Sequence, residues 1–226
     1  MSKLFVVLFA GCIDSYHTLA QYYNDLKRFG DFFSMLPDVD SNSLTVLHSD
    51  GSPPFIFTGV PNPTVGAGNM AGLQGALQSV AASAKTADRF VFVASNHGGI
   101  DNSLAYLWCW NSIKVYATDF AKACGAISAQ RQAYVFGQCN SGGFITPLAN
   151  SSRVILAGCG PNDVTYPTDD NNYDEFLLRV VENLENGERH FANVFAAAKA
   201  ADTQKESPEL SDPGGIGSDA SLLTGP

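Results

Sequence analysis

Two side chains able to act as a nucleophile and a base stand at matching places in this sequence. The first run is Val91-Phe92-Val93-Ala94-Ser95-Asn96-His97-Gly98-Gly99. The second is Ala133-Tyr134-Val135-Phe136-Gly137-Gln138-Cys139-Asn140-Ser141-Gly142-Gly143. Each begins apolar, as a buried strand does, and ends in a polar, glycine-rich turn. In an open α/β sheet, reactive groups collect beyond the carboxyl ends of strands. A thiol at its reference pKa is only a few per cent thiolate at neutral pH, so it benefits from a neighbouring imidazole. The same imidazole can later protonate a leaving amine. Glycines beside both residues let backbone N–H groups approach a developing oxyanion. The chemistry such a pair supports is thiol-based acyl transfer, as in a cysteine peptidase.

The chain around these residues has 226 amino acids, enough for one substantial domain. It is 45% hydrophobic and 11% aromatic, which supplies a core, and 15% charged, which argues against disorder or a coiled coil. The net charge of −9 and the lack of a Lys/Arg cluster set nucleic-acid binding aside. No stretch of membrane-spanning length is apolar throughout. The short apolar run after Lys3 reads as a first buried strand and not as a leader. Five cysteines, at 12, 109, 124, 139 and 159, lack metal-ligand spacing and read as reduced thiols in a cytoplasmic setting. Gly66-Ala67-Gly68 lacks the spacing of a phosphate loop.

Strand and helix patterns alternate. Apolar strands are expected at 3–10, 43–48, 90–94, 133–136 and 153–157. Helices are expected at 16–29, 70–84, 118–127, 173–185 and 189–201. Residues 104–110 and 113–116 form a hairpin pattern around Asn111-Ser112. Residues 50–69 read as a long loop and 207–226 as a loosely wrapped, Pro/Gly-rich tail after a domain spanning 1–206. The fold class is α/β, with a mostly parallel central sheet and helices on both faces.

The His-Gly pair after one buried strand and the Cys after the next resemble the caspase-type peptidase clan, which contains caspases, metacaspases, gingipain-like and clostripain-like enzymes and legumains. The separation from position 97 to position 139 suits that clan. Further stretches resemble the legumain (asparaginyl endopeptidase) family in particular: Leu8-Phe9-Ala10-Gly11-Cys12, Asp25-Leu26-Lys27-Arg28-Phe29-Gly30, Ala157-Gly158-Cys159-Gly160-Pro161-Asn162-Asp163 and Ser207-Pro208-Glu209-Leu210-Ser211-Asp212. The resemblance spans nearly the whole chain at low identity, and only the neighbourhoods of His97 and Cys139 are specific. It implies a caspase-like topology, Cys139 as nucleophile, His97 as general acid/base, and an oxyanion hole from the N–H groups of Gly98 and Cys139.

The sequence departs from that family in places. Legumains usually have Glu-Ala before the cysteine and caspases Gln-Ala; here the pair is Gly137-Gln138. The arginine of the legumain specificity pocket has no counterpart between Gly11 and Leu26. Asp14 falls near its place, Asp174 near a later acidic pocket position, and Gly137 is expected to leave the pocket floor open. Acids without an arginine favour a cationic substrate side chain, so cleavage after Arg or Lys is expected. The competing readings are Asp14 as a turn or cap residue, or as the group orienting His97, and Asp174 as a solvated first-turn acid. His17, His48, His190 and the other four cysteines read as packing or surface residues.

The functional expectation is a cysteine endopeptidase acting on polypeptides, open to a regulatory protein partner, and needing no metal or organic cofactor. The alternatives are a transpeptidase or ligase using the same residues, a peptide-binding domain that has lost turnover, and a metabolite-binding α/β module. The acidic loops are compatible with calcium, although no EF-hand pattern is present.

Overall fold

Seven successive residues, Leu4–Ala10, form a strand that is buried along its whole length (β1). Leu4, Val6, Leu8 and Ala10 enter one core cluster; Phe5, Val7 and Phe9 enter another. Alternate side chains of a strand point to opposite faces, so a strand apolar at every position must be covered on both. The computed structural model describes residues 2–225 and shows that arrangement throughout.

After β1 come α1 (Ala20–Ser34), β2 (Leu44–His48), β3 (Thr64–Gly66), α2 (Met70–Ser83) and β4 (Arg89–Ala94). A three-stranded unit follows, β5 (Gly98–Asp101), β6 (Leu104–Cys109) and β7 (Ile113–Tyr116), and leads into α3 (Ala117–Cys124). Then come β8 (Arg131–Phe136), α4 (Ile145–Leu148), β9 (Arg153–Ala157), α5 (Glu175–Glu185), α6 (Phe191–Ala201), β10 (Glu209–Ser211) and α7 (Ser221–Thr224).

The main sheet has the order β10-β9-β8-β4-β1-β2-β3, parallel except for β10. Side chains of α1, α5 and α6 cover one face, and those of α2 and α3 the other. The α/β class, the mostly parallel sheet and the helices on both faces are as expected, and are consistent with a caspase-like topology. β4 and β8 are neighbours in register, Ala94 beside Phe136. His97 and Cys139 therefore leave adjacent strands at the same height. No helix among the described residues is long and apolar enough to cross a membrane.

Four expectations need correction. The segment 50–69 contains β3, which pairs with β2. The first helix starts at Ala20, because Tyr16 and its neighbours lie exposed in a loop. A strand, β5, precedes the expected hairpin. Asn102-Ser103 and Asn111-Ser112 both take positive φ, as tight two-residue hairpin turns require. The tail is not loose: β10 pairs with β9, and Leu222 and Leu223 are buried in the core. The physical reason lies partly in Arg89. Its fully buried guanidinium donates to the carbonyls of Ser221 and Leu222 at 3.3 Å and pairs with Asp38. A buried cation needs such acceptors.

Candidate active site

Asn96 holds the exit of β4. Its Oδ1 accepts the Cys12 N–H at 3.0 Å, and its Nδ2 donates to the Trp108 carbonyl at 2.5 Å. This ties His97 to both flanking segments. The His97 ring stands edge-on to Tyr22 and His17, at centroid distances of 5.2 and 6.1 Å. Its Nε2 lies 3.2 Å from the His17 carbonyl. A carbonyl can only accept, so Nε2 carries the proton and Nδ1 keeps the lone pair. Burial lowers the His97 pKa, against the raising effect of that carbonyl. The imidazole is therefore neutral at pH 7 and able to take a proton.

Cys139 stands at the exit of β8. Asn140, with φ at 60°, turns the chain sharply there, and its N–H bonds the Asp163 carbonyl. The Cys139 sulfur rests 3.9 Å from Thr165 Oγ1, which donates to the Gly137 carbonyl at 2.7 Å. All five cysteines are free, and only Cys139 is not buried. Burial pushes Cys12, Cys109 and Cys124 up to about 12 and Cys159 to about 11. Those four are inert packing thiols.

Cys139 and His97 line one cavity of about 470 Å³, together with Leu19, Tyr22, Thr165 and Asn171. A larger cavity of about 550 Å³ between α2 and α3 has Asp119 and Lys122 in its wall but neither Cys nor His. Chemistry places the site in the smaller one. Gly98 lies against the Cys139 carbonyl, where a Cβ would collide with that oxygen. The Cys139 N–H has no acceptor among the described residues. The Gly98 N–H is also free of β6, because Trp108 N–H bonds the His97 carbonyl and leaves Gly98–Leu107 an unbonded pair of the ladder. Two N–H donors, that of Cys139 itself and that of Gly98 packed against its carbonyl, are thus left unbonded.

The three expected substrate-binding residues are placed differently from one another. Asp14 accepts from the N–H groups of Tyr16 and His17 and from the His17 ring at 2.7 Å. The His17 hydrogen bond holds its carboxyl below the usual range. It lies outside the cavity lining and caps its own turn, while its charge also raises the His97 pKa slightly against the effect of burial. Gly137 does not leave an open floor: Leu177 and Asp174 of the α5 segment fill the space a Cβ would take. Asp174 is buried and not solvated. Its Oδ1 caps α5 by accepting the Leu177 N–H at 2.9 Å, and its own N–H donates to Asp25 Oδ2 at 3.2 Å.

Asp25 is the site residue that sequence reasoning missed. It sits on the buried face of α1 beside Tyr22 and Leu26, and its Oδ2 accepts the Ser95 hydroxyl at 2.6 Å. The available signal was an acid at helical spacing within an apolar face. Burial raises both carboxyls, Asp25 to about 8, against the lowering effect of the Ser95 hydroxyl and the Asp174 N–H, and Asp174 well above the usual range, helped by the charges of Glu206 and Asp25.

The consequence for stability has a definite sign. The unfolded Asp25 ionises near 3.8 and the folded one near 8, so the native state binds more protons between those values. The resulting stabilisation is complete below the lower value and is lost as pH rises through the upper one, by up to about 1.4 kcal/mol per pH unit for one group. Stability is expected to fall from about pH 4 to about pH 8, and Asp25→Asn to flatten that slope. Urea midpoints at pH 5 and 8 check it; an equal slope in both proteins would refute it.

No protein-family model matches the sequence, and no relative is found among curated proteins. Among solved structures, protein GSU0716 from Geobacter sulfurreducens is similar, with a TM-score of 0.65 and 12% identity over 92% of each chain. At that identity the likeness concerns the fold alone.

Proposed function

We propose that this protein is a cysteine endopeptidase of the caspase-type clan, nearest the legumain branch. One observation carries the reading: the only cysteine that is not buried shares a cavity with a neutral histidine whose Nδ1 is free, beside two unoccupied N–H donors. His97 Nδ1 takes the Cys139 proton as the sulfur attacks the scissile carbonyl. The Gly98 and Cys139 N–H groups hold the oxyanion. Collapse breaks the C–N bond, and the imidazolium returns its proton to the departing amine. Water, deprotonated by His97, then hydrolyses the thioester and restores the thiol. An amine in place of water would make the same site a ligase, which the mass of the product distinguishes.

The residue before the cut enters the cavity beside Tyr22. Near Tyr22, outside the cavity lining, lie the buried carboxyls of Asp25 and Asp174, whose Oδ1 and Oδ2 respectively take no hydrogen bond. Burial raises both carboxyls, so they are mainly protonated at pH 7. An arginine or lysine reaching them would draw them into their ionised form, so cleavage after basic residues is the preference we assign, now carried by Asp174 and Asp25 and not by Asp14. Five free thiols fit a reducing, cytoplasmic compartment.

A peptide mixture with every residue type before the cut tests this. Cleavage after Arg and Lys, reduced at least tenfold by Asp174→Asn, is the expected result. Cleavage after other residues would remove the acidic floor from the account. No cleavage under reducing conditions, with or without calcium, would favour a binding domain without turnover.

A further inference from the structure

The strand that follows His97 has an open edge. β5 is the outer strand of its three-stranded sheet and pairs only with β6. Bonded and unbonded pairs alternate along an antiparallel ladder. The bond from Trp108 N–H to the His97 carbonyl fixes that phase, so Gly98–Leu107 and Ile100–Ala105 are the unbonded pairs. The N–H and C=O groups of Gly98 and Ile100 therefore point away from β6. An edge of this kind is a template for an extended chain.

A second cavity, of about 310 Å³, has Ile100 of that edge strand in its lining. Ile100, Leu104, Pro147 and Pro161 give it apolar walls, and no charged side chain lines it. The same loops hold Cys139 in place. Asn140 Nδ2 donates to the Pro161 carbonyl at 3.2 Å, and Gly142 packs on the Pro161 backbone. The two cavities share no lining residue: α1 and the 165–171 segment wall the first, the hairpin and α4 the second.

We propose that this second cavity is the subsite for the leaving side of the polypeptide. This rests on the peptidase reading above. A chain running parallel to β5 receives the Gly98 N–H at its scissile carbonyl. It gives the N–H of the second residue after the cut to the Gly98 carbonyl, and takes the Ile100 N–H at that residue's own carbonyl. One of the first three residues after the cut then places an apolar side chain in the cavity. A charged side chain there would lose water and meet no counter-charge.

The test uses peptides with a fixed sequence before the cut and Leu, Ala, Glu or Lys at each of the first three positions after it. They compete in one mixture, and products are read by mass. Leu is expected to exceed Glu by about tenfold or more in kcat/KM at one of these positions. Leu104→Asp, a change at an exposed site, is expected to lower the Leu-to-Glu ratio several-fold and to raise Lys. Because each ratio is internal to one enzyme, a general loss of activity does not affect it. Cleavage with all ratios within twofold would overturn the subsite and leave the peptidase intact. No cleavage of any peptide, together with no capture of an electrophilic peptide by Cys139, would overturn both.

Discussion

Replacing Cys139 with Ala is expected to remove peptide cleavage, by about 10⁴-fold or more, and His97→Ala to lower it by about 10²–10⁴-fold. The two losses should not add, because the residues act on one proton and one bond. Both variants should keep the fold. Cys139 is partly exposed and makes only long sulfur contacts to Thr165. His97 makes one hydrogen bond, to a carbonyl near the surface. Burial lowers the His97 pKa, so the active, neutral form predominates at pH 7 and declines as pH falls through that value. Activity is therefore expected to rise on leaving acid and to level off at or below the reference pKa of 6.5. A pH profile of kcat/KM checks this, and a fall across the same interval would contradict it.

Removal of residues 207–226 is the second large effect expected, and it acts on folding. Leu222 and Leu223 are fully buried in the core cluster of α1, α5 and α6. Losing a buried leucine side chain costs about 2–5 kcal/mol each. The deletion also strips Arg89 of the Ser221 and Leu222 carbonyls and Arg131 of Asp219. An acceptor lost from a buried charged donor costs about 1–3 kcal/mol more. The sum approaches the whole stability of a typical domain, about 5–15 kcal/mol. The shortened chain is expected to show no cooperative unfolding transition at 25 °C, and Leu222→Ala with Leu223→Ala to lower the urea midpoint sharply. An unchanged midpoint in the shortened chain would show that the segment contributes nothing.

That segment also marks where the sequence was hard to read. β1, β4, β8 and β9 were legible because each holds a continuous apolar run, Leu4 to Ala10, Phe90 to Ala94, Ala133 to Phe136 and Val154 to Ala157, of the kind buried inner strands show. Cys139 and His97 were legible because both follow such strands. The Leu222-Leu223 doublet was hidden by the Pro, Gly and Ser around it, and its burial depends on Arg89, far away in sequence. β5 was invisible because Gly98-Gly99-Ile100-Asp101 has neither strand composition nor alternation. Only the Asn102-Ser103 turn hinted at it. Asp25 lay in plain view on a helix, but its importance comes from Ser95 and Asp174, which only the tertiary fold brings to it. Asp14 is the opposite case: a short acidic loop residue near the site satisfies its own turn and the His17 ring, and it acts on His97 only through its charge, outside the cavity.

The most direct test of the central claim is capture of the nucleophile. The protein would be incubated under reducing conditions with a peptide carrying an electrophile after a basic residue, then weighed intact and mapped. The account predicts addition of a single label, located on Cys139, lost in Cys139→Ala and slowed in His97→Ala. Labelling that spreads over the other cysteines, or persists unchanged in Cys139→Ala, would contradict it.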